Sequence, residues 1–159
     1  RRAFEHHLDA NAEWLSQGLD LLGLVSGCIV VIDTPPGGNC YLPQALGAST
    51  LALCVLLPDA ASFVTVPAMA AWYAESKQKN PQFCGYYLLN RVNNTRVLCR
   101  DVATALARDL GEQLLPVEVQ FDSAIEEALA SQAPILKYAP ESPASHDFAA
   151  VAEWVLKST

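Results

Sequence analysis

The chain has 159 residues, enough for one domain whose core needs neither disulfides nor a structural metal. Apolar residues make up 52% and charged residues 17%, which excludes extended disorder, and no apolar run approaches the roughly 20 residues of a membrane-spanning helix. Ten basic residues stand against seventeen acidic ones, a net charge of −7, which speaks against nucleic acid or anionic lipid as a partner even though Arg91, Arg96 and Arg100 fall close together.

In chain order, Phe4–Leu24 carries apolar residues at helical spacing (Phe4, Leu8, Trp14, Leu15, Leu19, Leu22) and ends at Gly23 and Gly27. Cys28–Ile32 is a continuous apolar, β-branched run, the pattern of a buried parallel strand, and it stops abruptly at Asp33-Thr34-Pro35-Pro36-Gly37-Gly38. Thr50–Leu57 predicts a second strand closed by Pro58-Asp59, and a helix follows to about Lys79. Phe83–Leu89 predicts a third strand ending at Asn90. Thr95–Leu110 predicts a helix with Thr95 as N-cap and Gly111 at C′. Leu114–Val119 predicts a short fourth strand. Ser123–Ser131 predicts a helix with Ser123 and Glu126 in capping-box spacing, and Ala149–Leu156 a last helix. This alternation means an α/β layer on a parallel sheet, where ligands bind beyond the carboxyl ends of the strands. The polar residues at those ends are Asp33, Thr34, Asp59, Asn90, Arg91 and Asp122.

The five cysteines, Cys28, Cys40, Cys54, Cys84 and Cys99, are odd in number and lack CxxC spacing, so they read as reduced, buried thiols of a cytosolic protein. Trp14, Trp72 and Trp154 fall on apolar helical stripes and read as core or interface residues. His6 and His7, adjacent on a helix, point apart and read as a solvated face. Cys40 has no second thiolate near the start of the chain, which rules out an iron–sulfur cluster. No Ser/His/Asp order and no GxSxG occurs, so nucleophilic hydrolase chemistry has no support.

The string CIVVIDTPPGG at residues 28–38 is the most specific signal. An apolar strand with one Asp at its tip suits a Mg²⁺–nucleotide site, because a hard anionic carboxylate can hold a metal-bound water beside phosphates. A nearby glycine lets a backbone N–H approach the terminal phosphate. The segment resembles the Walker B and switch region of the MinD/ParA family of deviant P-loop ATPases. Leu51–Asp59, Tyr87–Arg91 (YLLNR) and Leu114–Pro134 (LLPVEVQFDSAIEEALASQAP) resemble that family's later landmarks in the same order. Within it, Pro58–Phe63, Leu88–Asn90 and the LLPV…DSAIEEALA stretch are similar to the BcsQ (YhjQ) branch, encoded with bacterial cellulose synthase.

The resemblance implies a P-loop NTPase-like α/β fold with a parallel sheet flanked by helices, residues 1–159 forming the carboxy-terminal portion of one such domain. It implies ATP and Mg²⁺ as cofactors of the complete protein. Asp33 is then the Walker B carboxylate near the metal, and Gly37 the switch glycine facing the γ-phosphate, the two residues placed in catalysis. Thr34 and Pro36 belong to the nucleotide-sensing switch Thr34–Asn39, Asn90 reads the adenine edge, and Arg91 flanks the base with the backbone near Val117–Glu118. In many relatives a proline stands where Gln120 stands here. The implied function is a nucleotide-dependent dimerising switch that regulates cellulose synthesis and secretion. Its partners are other proteins of the cellulose-synthase operon, with no nucleic acid and no integral membrane segment, and its place is the cytoplasm, with recruitment to the inner membrane through partners. The rivals are a non-hydrolysing scaffold of the same machinery and a ParA- or MinD-type partition or division regulator.

One family feature is missing from these residues. There is no GxxxxGK[ST] and no lysine before Lys77, so no phosphate-binding loop and no central strand to carry it. Three explanations stand: a longer native protein, a strand supplied by a second chain, or re-paired strands. The Arg1-Arg2 opening without Met favours the first.

Overall fold

The computed structural model describes residues 2–158. The chain divides into two compact units: residues up to Ala52 together with Ala70–Cys84, and Leu53–Met69 together with Gly85 onward.

In the first unit the expected single amino-terminal helix is two, α1 (Arg2–Ala10) and α2 (Trp14–Asp20), followed by α3 (Tyr41–Ala48). The break has a local cause. Asn11 Oδ1 accepts the N–H of Glu13 at 3.2 Å, an Asx-type turn that competes with helix continuation. The buried amide of Gln44 on α3 then satisfies the freed groups. Its Nε2 donates to the carbonyls of Leu8 (2.9 Å) and Asn11 (2.6 Å), and its Oε1 accepts the N–H of Leu15 (3.1 Å). Leu8, Ala45 and Leu46 are the buried apolar residues around it, and Phe4 packs edge-on to Trp14.

The run Cys28–Ile32 is not a strand. A strand needs a partner for its N–H and C=O groups, and among the described residues no strand pairs with this run, whose Cys28 N–H bonds only to the nearby Val25 carbonyl at 3.1 Å. Ile29 is 47% and Val31 87% exposed. The cysteine expectation fails here too: Cys28 is exposed, Cys40, Cys54 and Cys84 are half-buried, and Cys99 is buried. None of the five is joined in a disulfide among the described residues. Burial pushes the Cys54 thiol up.

Strands β1 (Leu51–Leu56) and β2 (Cys84–Leu89) pair side by side, joined by α4 (Ala60–Lys79). The bonds from Cys84 N to Thr50 O and from Asn90 N to Leu56 O keep one register along both strands, which is parallel pairing. Asp59 at the end of β1 starts α4, its Oδ1 accepting the N–H of Ser62 at 2.7 Å.

In the second unit, α5 (Val97–Leu110) starts one residue later than expected. Its N-cap is Arg96, and the Thr95 hydroxyl is bonded instead to Asn93 Oδ1 at 2.6 Å. A 3₁₀ turn follows at Gly111–Gln113. Leu114–Gln120 then runs parallel to β2, bridged to it at Tyr87–Leu114 and to the residues just beyond it at Val92–Gln120. Helix α6 (Ser123–Ala130) is capped by Asp122 rather than by Ser123, and α7 (Ile135–Tyr138) and α8 (Pro143–Ser158) close the chain. Helix α8 begins earlier than its apolar pattern predicts because Asp122 reaches it: one carboxylate oxygen accepts Ala124 N at 2.9 Å and the other accepts Ala144 N at 3.2 Å. Leu88, Leu115 and Val119 form the buried centre, covered by Phe148, Val151 and Trp154 of α8, with Tyr86 edge-on to Trp154 at 4.7 Å. Each such aliphatic side chain contributes about 1.5–3 kcal/mol by leaving water.

Candidate functional site

Asp33, Thr34, Pro36 and Gly37 fall in the first unit, Asn90 and Arg91 in the second.

Asp33 is exposed, and its carboxylate makes no hydrogen bond or ion pair with the described residues. Thr34 is half-buried and Pro36 exposed. Gly37 sits at φ +88°, where a side chain strains the backbone. Asn39 ties this loop to α3. Its Nδ2 donates to the carbonyls of Pro35 (3.5 Å) and Pro36 (3.4 Å), while its Oδ1 accepts the N–H of Tyr41 (3.0 Å). No three His, Cys, Asp or Glu side chains among the described residues are grouped to hold a metal ion. A single exposed carboxylate fits Mg²⁺ of the kind whose remaining ligands are phosphate oxygens and water.

The end of β2 is built differently, from two bulges. In a regular parallel ladder, residues separated by two on one strand face residues separated by two on the other. Here Leu115 N bonds Tyr87 O and Val119 N bonds Leu89 O, so the second run takes four residues against two of β2. Pro116 cannot donate to the ladder, and residues 116–118 step away from β2. This is why the expected fourth strand is reduced to isolated bridges. A cleft of about 280 Å³ opens where the run departs, lined by Leu89 and Leu114–Glu118.

The second bulge lies just beyond. Val119 N reaches Leu89 O, but Val119 O accepts from Val92 N, not from residue 91. One extra residue is therefore inserted at Asn90-Arg91, and Arg91 takes φ +58°, rare for a residue with a side chain. Bulges of this kind re-aim side chains. The N–H of Arg91 donates to Asn90 Oδ1 at 2.9 Å. That bond fixes the amide's orientation and leaves Asn90 Nδ2 and one lone pair of Oδ1 for a ligand. The Arg91 guanidinium lies 5.5 Å from the Phe121 ring centroid and is held by Glu126 at 3.2 Å.

In the second unit Asn90 and Arg91 follow directly on Leu89, whose carbonyl accepts the Val119 N–H and which lines the cleft with Leu114–Glu118. Asp59 and Asp122, also at strand ends, are spent on capping α4 and α6. Sequence reasoning missed Phe121, and it read Glu126 only as the partner of Ser123 in a capping box. It also missed the chain of amides described below. An exposed aromatic directly after a strand is a faint signal for Phe121; Asp147, far along the sequence, has none.

The profile of the cellulose biosynthesis protein BcsQ family matches residues 2–156. The chain belongs to the BcsQ family. No curated protein matches it. Among solved structures it is similar to the septum site-determining protein MinD of Pyrococcus horikoshii OT3 complexed with Mg-ADP. That match has a TM-score of 0.67 and 24% identity, and covers 95% of this chain and 59% of that one. It bears out the MinD-like P-loop NTPase fold, a parallel sheet flanked by helices. The chain spans 59% of the length of that MinD. Among the described residues, no helix is long and apolar enough to cross a membrane.

Proposed function

We propose that this BcsQ-family protein is a nucleotide-dependent switch regulating bacterial cellulose synthesis and secretion, with Mg-ATP as the ligand around which it dimerises. In this reading Asp33 holds Mg²⁺ through its water shell, Gly37 gives the γ-phosphate an unobstructed backbone N–H, and Thr34 and Pro36 move with the switch. Asn90 reads the base edge and Arg91 flanks the ring. The phosphate loop and its lysine come from protein outside these 159 residues. The partners are other components of the cellulose-synthase operon, and the protein works in the cytoplasm, brought to the inner membrane by those partners.

The observation that carries the nucleotide reading is the amide of Asn90. It stands on a bulge at the carboxyl end of a parallel strand, its orientation set by the Arg91 N–H and its amide donors unused among the described residues. Adenine offers a matching edge, an acceptor ring nitrogen beside an amino donor. The Mg-ADP of the similar MinD adds support, as does the family match for the cellulose role.

The test uses the full-length protein in titration calorimetry with Mg-ATP and in sedimentation with and without nucleotide. The expected result is Mg²⁺-dependent binding with dimer formation, no dimer for Asp33→Ala, and an affinity loss of about tenfold to a hundredfold for Asn90→Ala, the range for an unmet buried hydrogen bond. A protein that binds no nucleotide yet restores cellulose output in a deletion strain overturns the switch and leaves a scaffold.

A further inference from the structure

The two bulges leave an open cleft between β2 and residues 116–118, and something must hold it open. A displaced strand segment with buried neighbours ordinarily collapses onto the sheet to satisfy its backbone groups. Three side chains outside the site prevent this. Glu118 and Gln120 lie two apart on an extended run and so share a face. Gln120 Nε2 donates to Glu118 Oε1 at 2.8 Å, and Gln120 Oε1 accepts from Asn94 Nδ2 at 3.1 Å. The chain of amides thus runs from the loop after β2, across Gln120, to the lip of the cleft. The backbone of Gln120 is pinned from behind, its N–H donating to Asp147 Oδ2 on α8 at 2.9 Å. That N–H has no place in the ladder, because Val92 bonds to Val119 O and Phe121 N on either side of it.

Asp122 adds a second tie in the opposite sense, its carboxylate accepting the Ala144 N–H of α8. The segment 120–122 is therefore fastened to the first turns of α8 at both ends by carboxylate–amide bonds, the stronger class of hydrogen bond. Phe121, between the two ties, is 46% exposed and carries Arg91 on its ring.

We propose that Asp147 and Gln120 are positioning residues for the base side of the nucleotide site: they hold the cleft lined by Leu89 and residues 114–118, which opens one residue before Asn90, in register to accept the purine ring. The inference rests on the nucleotide reading above. Neither residue touches the ligand. Their contribution is preorganisation, which raises affinity by removing the cost of ordering the loop when the base arrives.

The test compares Mg-ATP with Mg-tripolyphosphate, which has the phosphates but no base, on the full-length protein. For Asp147→Ala the expected result is about a tenfold loss of Mg-ATP affinity, the scale of one charge-assisted bond, with tripolyphosphate affinity unchanged. Asp147→Asn keeps an acceptor oxygen and restores most of the loss. Gln120→Leu acts like Asp147→Ala. Amide hydrogen exchange at Gln120 speeds up in Asp147→Ala and recovers in Asp147→Asn. Equal losses for both ligands, or unchanged Mg-ATP affinity with fast exchange at Gln120, overturn the inference. A wild-type protein that binds tripolyphosphate as tightly as ATP overturns it too, since the base side then does nothing. A wild-type protein that binds neither ligand overturns the nucleotide reading itself.

Discussion

The runs Cys28–Ile32 and Cys84–Leu89 read alike as sequence. Both are short, apolar and bounded by turn-forming residues, and both end in a polar residue suited to a ligand, Asp33 in one case and Asn90 in the other. Their fates differ. Cys84–Leu89 has β1 on one side and Leu114–Gln120 on the other, and Tyr87, Leu88 and Leu89 are buried. Cys28–Ile32 has no strand partner among the described residues, its one backbone bond there being the turn from Cys28 N to Val25 O, and it lies largely in solvent. The difference teaches that an apolar run states a demand for burial, while the partner decides whether a strand forms. The residue at its tip inherits the outcome. Asn90 is placed on a bulge with its amide oriented, whereas Asp33 is held only through the loop that Asn39 ties to α3.

The largest test of this contrast is one kind of substitution in each run. Leu88→Ala empties a buried site in contact with Leu115 and Val119 and is expected to cost about 2–5 kcal/mol in urea unfolding. Val31→Ala, at a side chain 87% exposed, is expected to change stability by no more than about 0.5 kcal/mol. Comparable costs at both sites would show that the first run is buried in solution. In the full-length protein, Val31→Ala should become costly if a strand from elsewhere pairs with this run, and that shift measures the missing partner directly.

A smaller effect is expected at Asp122, which fastens the second region through two helix termini. Asp122→Ala should cost about 1 kcal/mol at pH 7, the scale of a lost N-cap. The backbone N–H groups of Ala124 and Ala144 hold this carboxyl below its usual range. A carboxyl depressed on folding contributes stability that is present above its unfolded pKa and lost as pH falls through the folded one. The gap between wild type and Asp122→Ala should therefore be full at neutral pH and close only in strong acid, below the ordinary aspartate range. A gap that closes near pH 5–6 would mean another group carries it.

What was legible in the sequence follows the range of the interactions involved. β1 and β2 follow from their apolar runs and α5 from the helical spacing of its apolar residues, patterns written along each element's own length. Asn90 and Arg91 were legible as polar residues at a strand end. The bulge that aims them was not, because it depends on how many residues of Leu114–Gln120 lie opposite β2, and only Pro116 hinted at a break. The ties from Asp122 and Asp147 to distant amides leave no local trace. The mistaken burial of Cys28 and the mistaken strand around it share one cause: the reading assumed a neighbour for every apolar run.

The smallest and most discriminating prediction uses two glycines. Gly37, in the loop after the first run, and Gly111, at the end of α5, both have positive φ (+88° and +52°). A Cβ built on either meets nothing within 4 Å, so substitution by alanine tests backbone strain alone. At equal strain the two should cost the same, roughly 1–2 kcal/mol. Strain counts towards global stability only where the segment stays folded until the whole domain unfolds; a segment with few buried contacts relaxes locally at little cost. Gly111 follows Leu110, which is buried, and the Gly111 carbonyl accepts the N–H of Leu114 at 3.1 Å. Gly37 lies beyond an exposed run. Gly111→Ala is therefore expected to lower the unfolding free energy by about 1 kcal/mol or more, and Gly37→Ala by less than about 0.5 kcal/mol. Equal losses in thermal or urea unfolding would show that the loop carrying Asp33 folds as one unit with the core. In that case the contrast between the two runs would concern exposure alone and not cooperativity.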